Sequence, residues 1–189
     1  SMNISRLTIC LLMLITTTGA WAQQRHSDTM DDMLEHLPLA TNLVLKLCGA
    51  ESATENNWQY CTQVLGSYAV AAGITYGLKH SIHEWRPDHS DNKSFPSGHA
   101  TFAFAGAHAL HKEYHRLSPW ISVGGYTVAT FVAVDRVLRD RHHWYDVCTG
   151  AAIGVVTTEL VYLASDRLFP KAHTTMAWAG NQLSMSIRF

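Results

Sequence analysis

The chain has 189 residues, 47% of them hydrophobic and 15% charged, with a formal net charge of −1. That length fits one domain. The charge balance excludes a general nucleic-acid binder, which carries a basic surplus or stripe, and the apolar fraction excludes a disordered chain.

Residues 1–22 read as a secretory signal. Ser1 before Met2 reads as a cloning remnant, Arg6 supplies a positive start, and Leu7 to Ala20 is an apolar run. Ala20-Trp21-Ala22 then gives a small-x-small cleavage pattern, so a single domain over 23–189 is expected, starting at Gln23. An uncleaved anchor helix is the alternative reading of that run. Export places Cys48, Cys61 and Cys148 in an oxidising compartment. Cys48 and Cys61 flank a polar stretch where either a disulfide or two separate thiols fit. Cys148 lies in an apolar run and reads as a small core residue.

The mature chain is expected to be all-α, an antiparallel bundle of about five helices with a short C-terminal β-hairpin. The first helix runs from about Asp28, a plausible N-cap, to Cys48, with Pro38 as a kink or break. The second starts near Asn57 and reaches about Glu84, stopping at Arg86-Pro87 because the residue before a proline is pushed out of the helical region. The polar loop Asp88 to Phe95 leads to Pro96-Ser97-Gly98-His99 and a third helix from about Gly98 to His115. Ser118-Pro119, a cap with proline at the first helical position, opens a fourth helix to about Arg139. The fifth runs from about His143 to Ser165. In the tail, Leu183, Met185, Ile187 and Phe189 alternate with polar residues at the strand period, and Gly180-Asn181 suits a two-residue hairpin turn.

Short connections make helices two to five antiparallel neighbours. The end of helix two, the start of three, the end of four and the start of five therefore gather at one pole, where the unusual residues lie. Lys79, Arg86 and Arg136 are cations that suit a phosphate dianion, although each alone also suits a helix C-terminus. Pro96-Ser97-Gly98-His99 opens a helix, whose N–H groups form an anion site. His99 beside that site can give a proton to a leaving oxygen. His142 and Asp146 are spaced i, i+4, so the carboxylate can fix the imidazole tautomer and leave the other nitrogen to attack.

Together these residues resemble the type 2 phosphatidic acid phosphatase (PAP2) family, which shares its site with bacterial class A acid phosphatases and vanadium haloperoxidases. Lys79, six residues, then Arg86-Pro87 match the first part of that family's signature. Pro96-Ser97-Gly98-His99 is the second, and Arg136, five residues, His142, three residues and Asp146 match the third. The resemblance implies that Lys79, Arg86, Ser97, Gly98 and Arg136 hold the phosphoryl oxygens, with the Gly98 and His99 amides. It implies that His142 attacks with help from Asp146, that His99 protonates the leaving group, and that water cleaves a phosphohistidine. No metal or other cofactor is implied. The family usually has serine before the last arginine, where this chain has Asp135. A carboxylate facing phosphate is repulsive, so Asp135 is expected to turn away and orient Arg136 or a neighbouring arginine.

The expected function is hydrolysis of a phosphomonoester or pyrophosphate, lipid-linked rather than soluble, because the short 88–95 loop leaves the site near the surface. Trp85, Phe95, Trp144 and Tyr145 stand beside the pole and can line its mouth or merely pack the bundle end. A broad soluble periplasmic acid phosphatase is the first alternative, then a vanadium haloperoxidase. A metallohydrolase using His108, His111 and His115, or His80 and His83, is a further one, and a non-catalytic envelope protein the last. The apolar stretches, Val64 to Leu78, Thr101 to Leu110, Trp120 to Val134 and Val147 to Ala164, fall below the ~20 residues that comfortably span a bilayer. This favours a periplasmic bundle of the bacterial envelope, seated on the membrane, over a compact integral one.

Overall fold

A computed structural model describes residues 28–169 and the backbone of 173–179 and 182–188. The signal-like segment 1–22, the mature start at Gln23 and the turn at Gly180-Asn181 lie outside the described residues. Six helices are described: α1 (Asp28–Glu35), α2 (Leu37–Leu47), α3 (Asn57–Ser81), α4 (Gly98–Tyr114), α5 (Pro119–Leu138) and α6 (Trp144–Leu168). Two strands follow, β1 (His173–Ala179) and β2 (Gln182–Arg188), antiparallel in a register that pairs Met176 with Met185.

The first expected helix is two helices. The break falls at His36 rather than at Pro38 itself. Pro38 lacks the N–H that would bond back to Leu34, so the ladder fails just ahead of it, and proline is tolerated in the opening turn of α2. The α3 start is capped by Asn56, whose side chain accepts from the Trp58 and Gln59 amides at 2.9 and 3.3 Å. α3 ends at Ser81 rather than near Glu84, because Ile82 turns extended and Glu84 pairs with Lys93 through the backbone.

The central element is α4. Ala100, Ala103, Ala105, Ala107 and Ala109 are all fully buried, and α4 packs most extensively against α6 and α5, while α6 also packs on α3. Gly150 and Gly154 allow that closeness. A Cβ at Gly150 would collide with the Ser97 carbonyl, and one at Gly154 with that of Thr101. The α6 backbone therefore lies directly on the first turn of α4, which is the turn that carries Ser97, Gly98 and His99.

Beside the apolar core, several polar side chains are buried and several large apolar ones are exposed. Gln63, Ser67, Thr101, Glu113 and Thr158 are buried, and Glu113 accepts from the Thr54 amide at 3.0 Å and the Tyr162 hydroxyl at 2.9 Å. Leu65, Val70, Ile74, Phe131, Val134, Val156 and Leu160 point outward. Cys48, Cys61 and Cys148 are free thiols. Cys148 is exposed rather than a core residue, since it sits on the outer face of α6 in a shallow apolar groove with Val134, Val137 and Trp144.

Candidate active site

The pole is built from the ends of four helices and two loops that lock together. Arg86 donates from Nε to the Asp91 carboxylate at 2.9 Å and from a terminal nitrogen to the Arg141 carbonyl at 3.4 Å. Asp88 pairs with Arg141 at 3.2 Å. The loop after α3 is thereby fastened to the loop between α5 and α6. Across the site, the Ser97 amide donates to the Asp146 carbonyl at 3.1 Å, which ties the start of α4 to the start of α6.

His142 stands between these loops, 2% exposed, in the link that precedes α6. Its Nδ1 faces an Asp146 carboxylate oxygen at 3.6 Å and the Ser94 hydroxyl at 3.4 Å. That same carboxylate oxygen accepts a short hydrogen bond from Ser94 and one from the His143 amide at 2.9 Å. Asp146 is thus fixed at its base by the capping of α6 before it meets the imidazole. With Nδ1 turned to Asp146 and Ser94, Nε2 is the nitrogen on the opposite side of the ring.

The cations surround this ring. Burial holds His142 well below its ordinary value of 6.5, and the charges of Lys79, Arg86 and Arg136 push the same way against Asp146. The imidazole is therefore neutral at physiological pH. Burial, with Arg86 next, also lowers Lys79, to about 8. Its ammonium donates to the Lys93 carbonyl at 2.9 Å, and its stem lies 3.9 Å from where a Gly98 Cβ would be. Arg136 is buried near the end of α5, and its carbonyl accepts from the Arg141 and His142 amides. Asp135 turns away, pairing with Arg139 at 3.0 Å.

Ser97 is fully buried and caps α4, accepting from the Ala100 amide at 3.4 Å. Gly98 and His99 follow as the first helical residues, so their amides carry the positive end of the α4 dipole. His99 lies at the same pole with its ring against α1: Nε2 is 2.9 Å from Asp32, and Nδ1 is 3.8 Å from Glu35. Tyr145 bonds to Glu84 and stacks on His143 at 4.9 Å, while Trp85 and Trp144 are largely exposed.

Three of these residues escaped the sequence reading. Ser94 is two residues before the Pro96 motif and carried no spacing signal of its own. Asp32 and Glu35 reach His99 across 67 and 64 residues (99 − 32 and 99 − 35), a distance no local pattern spans.

Of the histidines suspected as metal ligands, His80, His108, His111 and His115 have other partners. His108 bonds to Tyr126 at 2.6 Å and to Glu159 at 3.0 Å, His111 to Ser122 at 3.0 Å, and His115 and His80 to backbone carbonyls. Among the described residues, Glu84, His143 and Asp146 do bring ligand atoms within 4.8 Å of one another. Both carboxylates there are already held, by Tyr145 and by Ser94 with the His143 amide.

Comparison with known proteins matches this architecture. The chain is 36% identical over 140 residues to the lipid A 1-phosphatase of Porphyromonas gingivalis, covering 74% of this chain and 32% of that protein. It is 34% identical over 98 residues to lipid phosphate phosphatase 2 of Arabidopsis thaliana, covering 46% of this chain and 33% of the relative. The chain thus spans about a third of the length of these curated relatives. Among solved structures, Aquifex aeolicus LpxE superposes with a TM-score of 0.55 at 19% identity, over 72% of this chain and 87% of its own. A transmembrane PAP2-type phosphatidylglycerolphosphate phosphatase from Bacillus subtilis gives 0.52 at 18% identity, over 87% and 96%. Those two likenesses concern the fold. The sequence profile of the PAP2 superfamily matches residues 60–170, which takes in every residue of the pole from Lys79 to Asp146, and this chain belongs to that superfamily.

Proposed function

We propose that this chain hydrolyses a lipid-linked phosphomonoester or pyrophosphate through a phosphohistidine on His142, without a metal ion, at the periplasmic face of a bacterial membrane. The observation that carries the reading is the buried His142 ring, turned by Asp146 and Ser94, with three cations and a helix start at the same pole. A neutral imidazole in that setting is a nucleophile without a waiting proton to lose. Lys79, Arg86, Arg136 and the α4 amides take the charge on the phosphoryl oxygens that Mg²⁺ takes in many other phosphoryl-transfer enzymes.

The reaction divides into two displacements. Nε2 of His142 bonds to phosphorus as the bond to the leaving oxygen breaks, and that oxygen takes a proton from His99. Water then attacks phosphorus as the N–P bond breaks, and its proton returns to His99. Asp146 stabilises the ring while it carries phosphate.

Lipid linkage is supported by the activities for which the relatives are named and by the surface around the pole. The exposed residues of α3 between 58 and 77, of α5 between 119 and 138 and of α6 between 144 and 164 carry no charge apart from the half-exposed Glu159, which pairs with His108 and Lys112. Two helices, Pro119–Leu138 and Trp144–Leu168, have the length and mean hydropathy to cross a membrane. The bundle is thus read as integral, with residues 1–22 as a signal and 23–189 as one domain. The alternation of Leu183 to Phe189 supports a hairpin turned at Gly180-Asn181 in the same reading.

The test is kcat/KM for a lipid phosphate in mixed micelles against a soluble sugar phosphate, with acid-labile phosphate trapped on the protein. Preference for the lipid and loss of the trapped phosphate in His142→Ala are expected. Equal use of the soluble compound would favour the acid-phosphatase alternative. The Glu84, His143 and Asp146 group gives a metal-dependent second reading, and inactivation by EDTA with recovery on adding zinc would promote it.

A further inference from the structure

The proton donor of the proposed reaction shares its pole with three cations. Lys79 from α3, Arg86 from the loop after it and Arg136 from α5 gather around His142 where α4 begins, and cations so placed repel a further positive charge in their neighbourhood. A general acid must nevertheless carry its proton into the transition state. Other titratable groups at this end are His142, neutral by burial, Asp146, bonded to Ser94 and the His143 amide, Glu84, bonded to Tyr145, Asp91, bonded to Arg86, and Asp88, paired with Arg141. None of the bonds just given supplies a carboxylate to His99 itself.

Helix α1 does. Asp32 lies 2.9 Å from Nε2 and Glu35 lies 3.8 Å from Nδ1, so both nitrogens of one ring face carboxylates. The two differ in setting. The Glu35 side chain is 10% exposed and also accepts from His36 Nε2 at 3.1 Å, whereas the Asp32 side chain is 63% exposed. Burial keeps His36 below its usual value, so it meets Glu35 as a neutral donor and leaves the carboxylate charge to His99. Helix α1 packs on both α4 and α5, which fixes these carboxylates over the start of α4.

We propose that Asp32 and Glu35 are positioning residues for the general acid, an assignment that rests on the phosphohistidine reading above. Glu35 holds Nδ1 and the ring orientation throughout the cycle. Asp32 holds Nε2 in the resting enzyme and yields it to the leaving oxygen, since an exposed side chain can swing into water at little cost. Together they keep His99 protonated beside three cations. His99 gives its proton from Nε2 as the P–O bond breaks, and regains one from water in the second displacement.

The experiment compares two substrates of different leaving group, a short-chain phosphatidate and para-nitrophenyl phosphate, for the full chain and for Asp32→Asn and Glu35→Gln. An alkoxide leaving group needs the proton, and para-nitrophenolate leaves without it. Each variant should lose roughly tenfold in kcat on phosphatidate and less than about twofold on the nitrophenyl ester. The ratio of the two rates is independent of how much protein has folded, so a poorly folding Glu35→Gln still gives an answer. The alkaline limb of kcat on phosphatidate should move about one pH unit lower in Asp32→Asn, and Asp32→Glu should restore it. Bound phosphate keeps Lys79 charged, so that limb reports on His99. Equal losses on both substrates, an unmoved limb, or a gain in both activities would overturn the assignment. His142→Ala separates this from failure of the underlying mechanism, because it should remove both activities and the trapped phosphate whatever α1 does.

Discussion

The proposed mechanism makes two demands of His142: the ring must be neutral to attack, and its attacking nitrogen must be fixed. Burial and the surrounding cations meet the first, Asp146 and Ser94 the second. His142→Ala should therefore fold and lose nearly all turnover, whereas Asp146→Asn should lose about 10²–10⁴-fold by misorienting the ring. Ser94→Ala removes one of the bonds that aim the Asp146 carboxylate, and a smaller loss in kcat with KM unchanged is expected from steady-state kinetics. The pH dependence follows from two lowered groups. Because His142 in the folded protein is held below 6.5, falling pH does not protonate it near that value, and kcat/KM should stay high well into the acid range. Lys79 loses its proton above about 8, so KM should rise there as one phosphate contact fades. Lys79→Arg keeps its charge beyond pH 12 or so, and should abolish that alkaline rise in KM. A KM rise that persists in Lys79→Arg would assign it to another group. His142, Asp146 and the cations were legible because their spacing is local to helix ends. Ser94 was not, since a serine in a polar loop looks like any other until the fold places it against a buried carboxylate.

The packing of α6 on α4 explains how the site is held at the scale of elements. Ser97 caps α4 and its carbonyl accepts from the Thr101 amide at 3.1 Å and the Thr101 hydroxyl at 2.9 Å. Gly150 lies so close to that carbonyl that any side chain there must push it away. Gly150→Ala should cost about 1–3 kcal/mol by overpacking. It should also reduce kcat, because the α4 amides at the proposed phosphate site move with Ser97. Gly124→Ala on α5, where a Cβ meets nothing within 4 Å, is the matched control and should stabilise slightly. Thermal unfolding and kcat for both variants check this, and equal behaviour of the two would remove the close-packing argument. The all-α class, and helix ends within a few residues for α3 to α6, could be read from signals such as Arg86-Pro87 and Ser118-Pro119. The split of α1 from α2 could not be placed, because Pro38 predicts that a ladder fails without saying at which residue. The contacts of α1 with His99 depend on how that split turns the helix, so the sequence carried no trace of them.

At the scale of the whole molecule, buried polar residues and exposed apolar ones lie on the same helices, so counting letters along the chain does not show which face a helix turns outward. Runs such as Val64 to Leu78 look too short for a bilayer because Gln63 bounds that one, yet Gln63 is buried. The outward faces of the 25-residue α3, the 20-residue α5 and the 25-residue α6 are uncharged for most of their length. The half-exposed Glu159 is paired with Lys112 at 3.1 Å and His108 at 3.0 Å. Helix length and exposed face, rather than the unbroken apolar run, set whether a bundle suits lipid. On that argument a charge at Val156, exposed at the middle of α6, faces hydrocarbon, whereas one at Leu168, beside Asp166 and Arg167, faces the interface. Val156→Lys should cost about 2.5–3.5 kcal/mol of insertion, and Leu168→Lys much less. In a water-exposed bundle both substitutions would fall within roughly ±0.5 kcal/mol and leave the protein soluble. The check is the fraction of each variant that stays with membranes after alkaline carbonate extraction and then remains monodisperse in detergent. The unaltered chain and Leu168→Lys should stay with the membrane, and Val156→Lys should be depleted from it. Release of the unaltered chain by carbonate, with both variants equally soluble, would return the bundle to the membrane surface.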